Sequence, residues 1–154
     1  MTMVGDRCVG DVGAKLERVE RLDRQTVRVR TPAKINLTLA VGPERADGYH
    51  EFESLMATVS LYDELTVRVA DSGPILRCHS PNVPSDSRNL VHRACSLLAW
   101  SARVSPQVEM DLEKGIPTQA GLGGGSSDAA ACLVALNELW ELDWPLDRLC
   151  EVGA

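Results

Sequence analysis

The chain has 154 residues, 44% hydrophobic and 25% charged, enough for one globular domain with its own core. Its formal net charge of -6 and pI near 5.0 argue against a general nucleic-acid binder. A phosphorylated small molecule stays open, because backbone N–H groups can attract an anion locally whatever the net charge.

Residues 1–25 mix Asp6, Asp11, Glu17, Glu20 and Asp23 with Arg7, Lys15, Arg18, Arg21 and Arg24. They contain no apolar core for a signal peptide, and their acids argue against a transit peptide. They read as a flexible N-terminal leader to a domain over 26–154. No stretch of the chain approaches the ~18 apolar residues of a membrane span. A cytoplasmic protein with no membrane partner is therefore expected.

Thr26 to Arg30 alternates strictly and predicts a half-buried strand. Pro32 interrupts the pattern, and Ile35 to Val41 predicts a second strand segment. Pro43 to Gly48 is a polar turn. Leu55 to Leu61 and Glu64 to Val69 predict two further strands, the latter with Leu65, Val67 and Val69 alternating. A turn at Asp71 to Pro74 leads to a short strand at Ile75 to Cys78. After a loop at Pro81 to Asp86, the spacing of Leu90, Ala94, Leu97 and Leu98 predicts a helix over Asn89 to Trp100. Val108, Met110 and Leu112 alternate with polar residues and predict a strand. A glycine-rich loop follows, then a helix from about Asp128 to Glu141. Pro145 favours the start of one more helix from about Asp147. Strands first, then helix, strand, loop and helix, indicate an α+β fold. No repeat or interior linker divides it.

The five cysteines, Cys8, Cys78, Cys95, Cys132 and Cys150, form no C-x-x-C pair, so reduced thiols are expected rather than a disulfide frame or zinc site. Cys132 falls inside an apolar helix pattern and reads as a small core residue. His79 and His92 lie in no motif and read as structural or surface residues.

The informative stretch is Pro117-Thr118-Gln119-Ala120-Gly121-Leu122-Gly123-Gly124-Gly125-Ser126-Ser127-Asp128. So dense a run of glycine costs chain entropy, and it lets backbone N–H groups converge on an anion. Ser126 or Ser127 is a good N-cap, with Ala129, Leu133, Leu136 and Trp140 along one helix face. The loop thus opens onto a helix N-terminus, where unpaired N–H groups and the helix dipole favour phosphate. The alternative is a tight turn between strand and helix. A Walker loop needs a lysine after the glycines, and none is present. A dinucleotide fingerprint needs a third glycine where Ser126 stands, and a protein-kinase glycine loop lies between strands.

The run from Pro117 to Ala130 resembles the glycine-serine loop of the GHMP kinases. Pro32-Ala33-Lys34-Ile35-Asn36-Leu37 is similar to that family's first motif, in the branch that acts on a cytidine diphosphate derivative of a small polyol. Arg45-Ala46-Asp47-Gly48-Tyr49-His50 resembles the substrate segment of that branch. Asn89-Leu90-Val91, Lys114-Gly115-Ile116-Pro117 and Leu133 to Trp140 match as well, so the resemblance runs from about residue 28 to the last.

The resemblance implies the family's N-terminal ATP-binding domain, of the ribosomal protein S5 domain 2-like fold, incomplete at its C-terminus and without the second domain. It implies a small-molecule kinase using ATP, with Mg2+ accompanying the nucleotide, on a cytidyl diphosphate substrate. Another small alcohol, or a nucleotide-binding remnant without chemistry, is the alternative. Lys34 matches the active-site lysine; read alone, it could be a surface lysine. Asn36 would help fix the substrate, or serve as a turn residue. Tyr49 would stack on the cytosine ring and His50 hydrogen-bond its edge, where the bare segment would read as loop. Asn89 would lie near the nucleotide base, or simply cap the helix. Lys114 would reach ATP phosphate or base, or be a solvated strand-end charge. Pro117, Thr118, Gln119, Ala120, Gly121, Leu122, Gly123, Gly124, Gly125, Ser126 and Ser127 would bind ATP, and either serine hydroxyl would lie near the metal. The family's catalytic base, an aspartate in a Gly-x-Asp-Val-Pro stretch, has no counterpart in these residues. The chain therefore reads as a truncated kinase, inactive by itself.

Overall fold

The computed structural model describes residues 2–4, 7–9, 19–45 and 48–154. Its strands are β1 (Thr2–Val4), β2 (Arg7–Val9), β3 (Val19–Arg21), β4 (Thr26–Glu44), β5 (His50–Val69), β6 (Ile75–Cys78) and β7 (Val108–Glu113). Its helices are α1 (Leu90–Ala102), α2 (Gly124–Leu139) and α3 (Leu146–Gly153).

Strand β5 organises the sheet. Its second half lies between β4 and β7, both antiparallel, with Leu65 opposite Val29 on one side and Leu112 on the other. Its first half is flanked by β1, which pairs with β2. Strand β3 adds to the outer side of β4, and β6 runs parallel to β7. Period-2 alternation then puts Val27, Val29, Leu65, Val67, Val108, Met110 and Leu112 on one face, all buried. Helices α1 and α2 cover that face with Val91, Cys95, Leu98, Cys132, Ala135 and Leu136, and α3 adds Leu149. Each of the larger side chains contributes roughly 1.5–3 kcal/mol by leaving water. The result is two layers, a mixed sheet and a helical layer, and the α+β expectation holds.

Three sequence expectations need correcting. The two segments expected on either side of Pro32 are one strand, β4, and the two expected between Leu55 and Val69 are one strand, β5. Proline cannot donate to a ladder, and Pro32 sits at a register shift: it faces Tyr62 while Ala33 faces Val59. The strand continues past the break because β5 bulges opposite it, absorbing Ser60 and Leu61. The third correction concerns α2, which begins at Gly124, not near Asp128, and ends at Leu139. Its N-cap is Gly123, so neither Ser126 nor Ser127 caps it. The serines as candidate N-caps suggested the later start, but the tertiary contacts of the first turn place the helix start earlier.

The remaining helices agree closely with expectation. Asn89 caps α1, accepting from the Val91 amide at 2.9 Å. Helix α3 starts after Pro145. Of the leader expected over 1–25, residues 2–4, 7–9 and 19–21 are the strands above, and 1, 5–6 and 10–18 lie outside the described residues. No helix among the described residues is long and apolar enough to cross a membrane. Cys95 and Cys132 are buried, with burial pushing the Cys95 thiol up to about 12 and Cys132 well above its ordinary range. Such thiols are unreactive packing groups, as expected for Cys132.

Candidate functional site

The connection from β7 to α2 meets two other parts of the sheet. At its near end, the Asp63 carboxylate, two residues past the bulge of β5, accepts from the Gly115 and Ile116 amides, at 2.7 and 2.8 Å, through Oδ1. Lys114 Nζ donates to Asp63 Oδ2 and, at 2.7 Å, to Oδ2 of Asp128 in the first turns of α2. These side chains are nearly sealed from water: 0% exposed for Asp63, 4% for Asp128 and 8% for Lys114. Ions so buried persist only when paired, and here one ammonium serves two carboxylates.

That imbalance decides the titration. Burial raises the Asp128 carboxyl to about 7; the Lys114 contacts oppose the rise, and the nearby Asp63 charge adds to it. Burial would lower Lys114, but hydrogen bonds and charge from Asp128 and Asp63 outweigh it and raise the ammonium. The Asp128 Oδ1 atom is buried without a hydrogen-bond partner.

At its far end the loop lies against β4. The Lys34 amide donates to the Leu122 carbonyl at 2.9 Å, and the Ser127 hydroxyl donates to the Pro32 carbonyl at 3.1 Å. Gly123 has φ +74°, a conformation glycine adopts freely, and a Cβ there would stand 2.9 Å from Lys34 Cγ. The lysine stem therefore lies across the cap of α2, while its Nζ donates to Asn36 Oδ1 at 3.2 Å. Helix α2 opens from that point with its first amides unpaired, the arrangement that attracts anions.

A cleft of about 350 Å³ lies over the loop. Pro117 to Ser126 line it, joined by Lys114, Asp128, Asn89, Leu90, Arg88, Val83 and Pro84. Of the expected nucleotide-site residues, Pro117, Thr118, Gln119, Ala120, Gly121, Leu122, Gly123, Gly124, Gly125, Ser126, Asn89 and Lys114 all converge there. Ser127 does not; its hydroxyl is turned to Pro32, leaving Ser126 as the serine on the cleft. Asn89 is both a cap and a wall residue, its Nδ2 donating to the Pro84 carbonyl at 2.7 Å. Lys114 is not the solvated strand-end charge that its position suggested.

Tyr49 and His50 are elsewhere. They follow the turn at the distal end of the β4–β5 ribbon, where Tyr49 is 74% exposed and His50 Nδ1 lies 3.0 Å from the Gly42 carbonyl oxygen. His50 faces Glu44, ten residues beyond Lys34 along a strand that shifts register twice in between. Ala46 and Asp47 of that segment lie outside the described residues. His79 pairs with Asp111 at 3.1 Å on the surface, and His92 lies on α1 away from the cleft lining.

Sequence reasoning missed Asp63 and Asp128, although both carry a signal. Asp63 shares the core-facing parity of Leu65 and Val67, and Asp128 lies one helical turn before the buried Cys132. A carboxylate on a core-facing position requires a buried partner, and Lys114 was the cation available.

Residues 89–154 match the family described as GHMP kinases N terminal domain. A 4-diphosphocytidyl-2-C-methyl-D-erythritol kinase of Exiguobacterium sibiricum is 46% identical over 130 residues, covering 84% of this chain and 46% of that protein. One from Mycobacterium avium is 48% identical over 122 residues, covering 78% of this chain and 39% of that protein. A crystal structure of 4-(cytidine 5'-diphospho)-2C-methyl-D-erythritol kinase superposes with TM-score 0.68 at 42% identity, covering 82% of this chain and 46% of that one. Homoserine kinase from Cytophaga hutchinsonii shares the fold at TM-score 0.65 and 18% identity. The chain spans about half the length of the relatives it matches. With the strand order, the glycine loop and these likenesses in agreement, the chain belongs to the GHMP kinases and carries their N-terminal domain.

Proposed function

We propose that this chain is the nucleotide-holding part of a kinase that transfers the γ-phosphate of ATP to the 2-hydroxyl of 4-diphosphocytidyl-2-C-methyl-D-erythritol, a step in isoprenoid precursor synthesis. The observation that carries the reading is the glycine loop opening on the α2 N-terminus with the Lys34 stem against its cap. The substrate rests on the names of relatives at 45–48% identity.

In this reading the loop amides and the α2 dipole hold the polyphosphate, and Asn89 with Leu90 borders the base. The substrate hydroxyl oxygen attacks the γ-phosphorus as the bond to the ADP oxygen breaks, its proton passing to the aspartate of the Gly-x-Asp-Val-Pro stretch that the family resemblance implies. Lys34, on β4 beside the loop, stabilises the charge that spreads over the transferring group, with Asn36 orienting its ammonium. Tyr49 and His50 hold the cytidine end of the substrate at the other end of the ribbon. Among the described residues, no group of three or more His, Cys, Asp or Glu side chains is arranged for a metal. Mg2+ is commonly held by substrate phosphates and few protein ligands, and Ser126 lines the same cleft.

Calorimetric titration of the chain with Mg-ATP, followed by an ATP-consumption assay with the cytidyl substrate, tests the proposal. Saturable ATP binding lost in Gly123→Val, and turnover by a chain that includes the Gly-x-Asp-Val-Pro stretch, support it. No ATP binding, or no turnover by that longer chain, defeats it. Binding of ATP with no turnover by either chain would instead mark a nucleotide-binding protein that performs no transfer.

A further inference from the structure

The buried Asp63–Lys114–Asp128 cluster lies beneath the loop, and what it joins is specific. Asp63 holds the first residues of the loop by two amides; Asp128 belongs to the helix that ends it; Lys114 binds both carboxylates. The two ends of the loop, separated by about ten residues of chain, are thereby pinned to one point on β5. Gly124, where α2 begins, lies directly over that point: a Cβ there would be 3.3 Å from both Asp63 Oδ2 and Lys114 Nζ. A loop rich in glycine has many conformations of similar energy, and an anion cradle works only if its donors are held in place before the anion arrives.

We propose that Asp63 and Asp128 are positioning residues for the glycine loop: acting through Lys114, they clamp its two ends together and so set the aim of its amides at a polyphosphate. The inference rests on the phosphate-binding reading above. The geometry also says why Lys114 is a lysine. Its flexible stem lets one ammonium reach two carboxylates on different elements, and the cluster leaves it little freedom to follow a ligand. Its work is internal, between β5 and α2, even though it borders the cleft.

Asp128→Ala and Asp63→Ala, which remove the acceptor oxygens and not merely their charge, test the clamp in the whole chain, with two independent readouts. The first needs no ligand: amide hydrogen exchange at Gly115, Ile116 and Ser127, each hydrogen-bonded in the fold, against Leu98 in α1 as a control. The second is calorimetric affinity for inorganic tripolyphosphate and, separately, for adenosine. Both variants should speed exchange at the loop ends by about tenfold with Leu98 unchanged, the scale of one lost charge-assisted hydrogen bond. Tripolyphosphate should weaken by a similar factor while adenosine holds as before. A merely structural role would speed exchange everywhere, or weaken both ligands alike, and either result overturns the proposal. Loop exchange unchanged in the variants overturns it too. If the unaltered chain binds neither tripolyphosphate nor ATP, the phosphate reading fails, while the exchange comparison still decides the clamp. Should Asp63→Ala unfold, Asp128→Ala, which keeps both amide contacts of Asp63, decides the matter alone.

Discussion

Replacing Gly123 with alanine should cost the fold about 1.5–3.5 kcal/mol, in two separable parts. The first is backbone conformation: at φ +74° a residue with a Cβ is disfavoured by roughly 1–2 kcal/mol. The second is the collision with Lys34, whose Cγ would lie 2.9 Å and Cε 3.2 Å from the new methyl. The half-buried lysine must leave its rotamer, at roughly 0.5–1.5 kcal/mol. Gly121→Ala separates the parts, because Gly121 has nearly the same φ, +72°, with nothing within 4 Å of the added Cβ. Thermal melts should show Gly121→Ala lower by a few degrees and Gly123→Ala lower by about 5–10 °C, at about 2–4 °C per kcal/mol for a chain of this size. In the Gly123→Ala background, Lys34→Ala should recover about 1 kcal/mol as a coupling energy. If the two glycine variants melt together and the double variant shows no coupling, then Lys34 does not rest on the cap of α2, and its placement beside the loop must be abandoned.

Two further outcomes are expected. Because Asp128 is raised to about 7 from an ordinary 3.8, the folded chain binds its proton more tightly than the unfolded chain does. Its contribution to stability is therefore greatest below pH 4, declines as pH rises through 4–7, and is flat above; melts of the parent minus Asp128→Asn should trace that decline, of order 2–4 kcal/mol, and a pH-independent difference would contradict it. Asn89→Ala should cost about 1 kcal/mol by uncapping α1, while Asn89→Ser should keep most of that stability; equal losses in urea denaturation would mean that the cap contributes nothing.

Most of the fold was legible because its elements are periodic. Val108, Met110 and Leu112 announced β7 by alternation alone, and Asn89 marked the start of α1 by chemistry as well as spacing. The errors fell where tertiary contact outweighs local preference. Pro32 breaks a strand pattern in one dimension, but a bulge on the facing strand lets the ribbon pass it. Glycine is a poor helix former, yet Gly124 and Gly125 are the first turn of α2 because packing and the Lys114–Asp128 pair hold them there. The glycine loop itself was readable, being contiguous. The cluster under it was not read, because Asp63 and Asp128 come from distant segments and each passes locally for an ordinary polar residue. Parity on β5 and helical position relative to Cys132 would have exposed both.

The contacts that build the cleft join residues far apart in sequence: Asp63 to Gly115, Lys34 to Leu122, and Pro32 to Ser127. No fragment of the loop can assemble its surroundings locally, so during folding the cleft should arise only once β4, β5, β7 and α2 have docked. A ligand of the cleft then meets the native chain and no partly folded form. Its full binding energy appears as protection against unfolding, about 2.7 kcal/mol when ligand exceeds its Kd a hundredfold. A melting temperature that climbs with nucleotide concentration thus reports occupancy of the cleft without any assay of turnover.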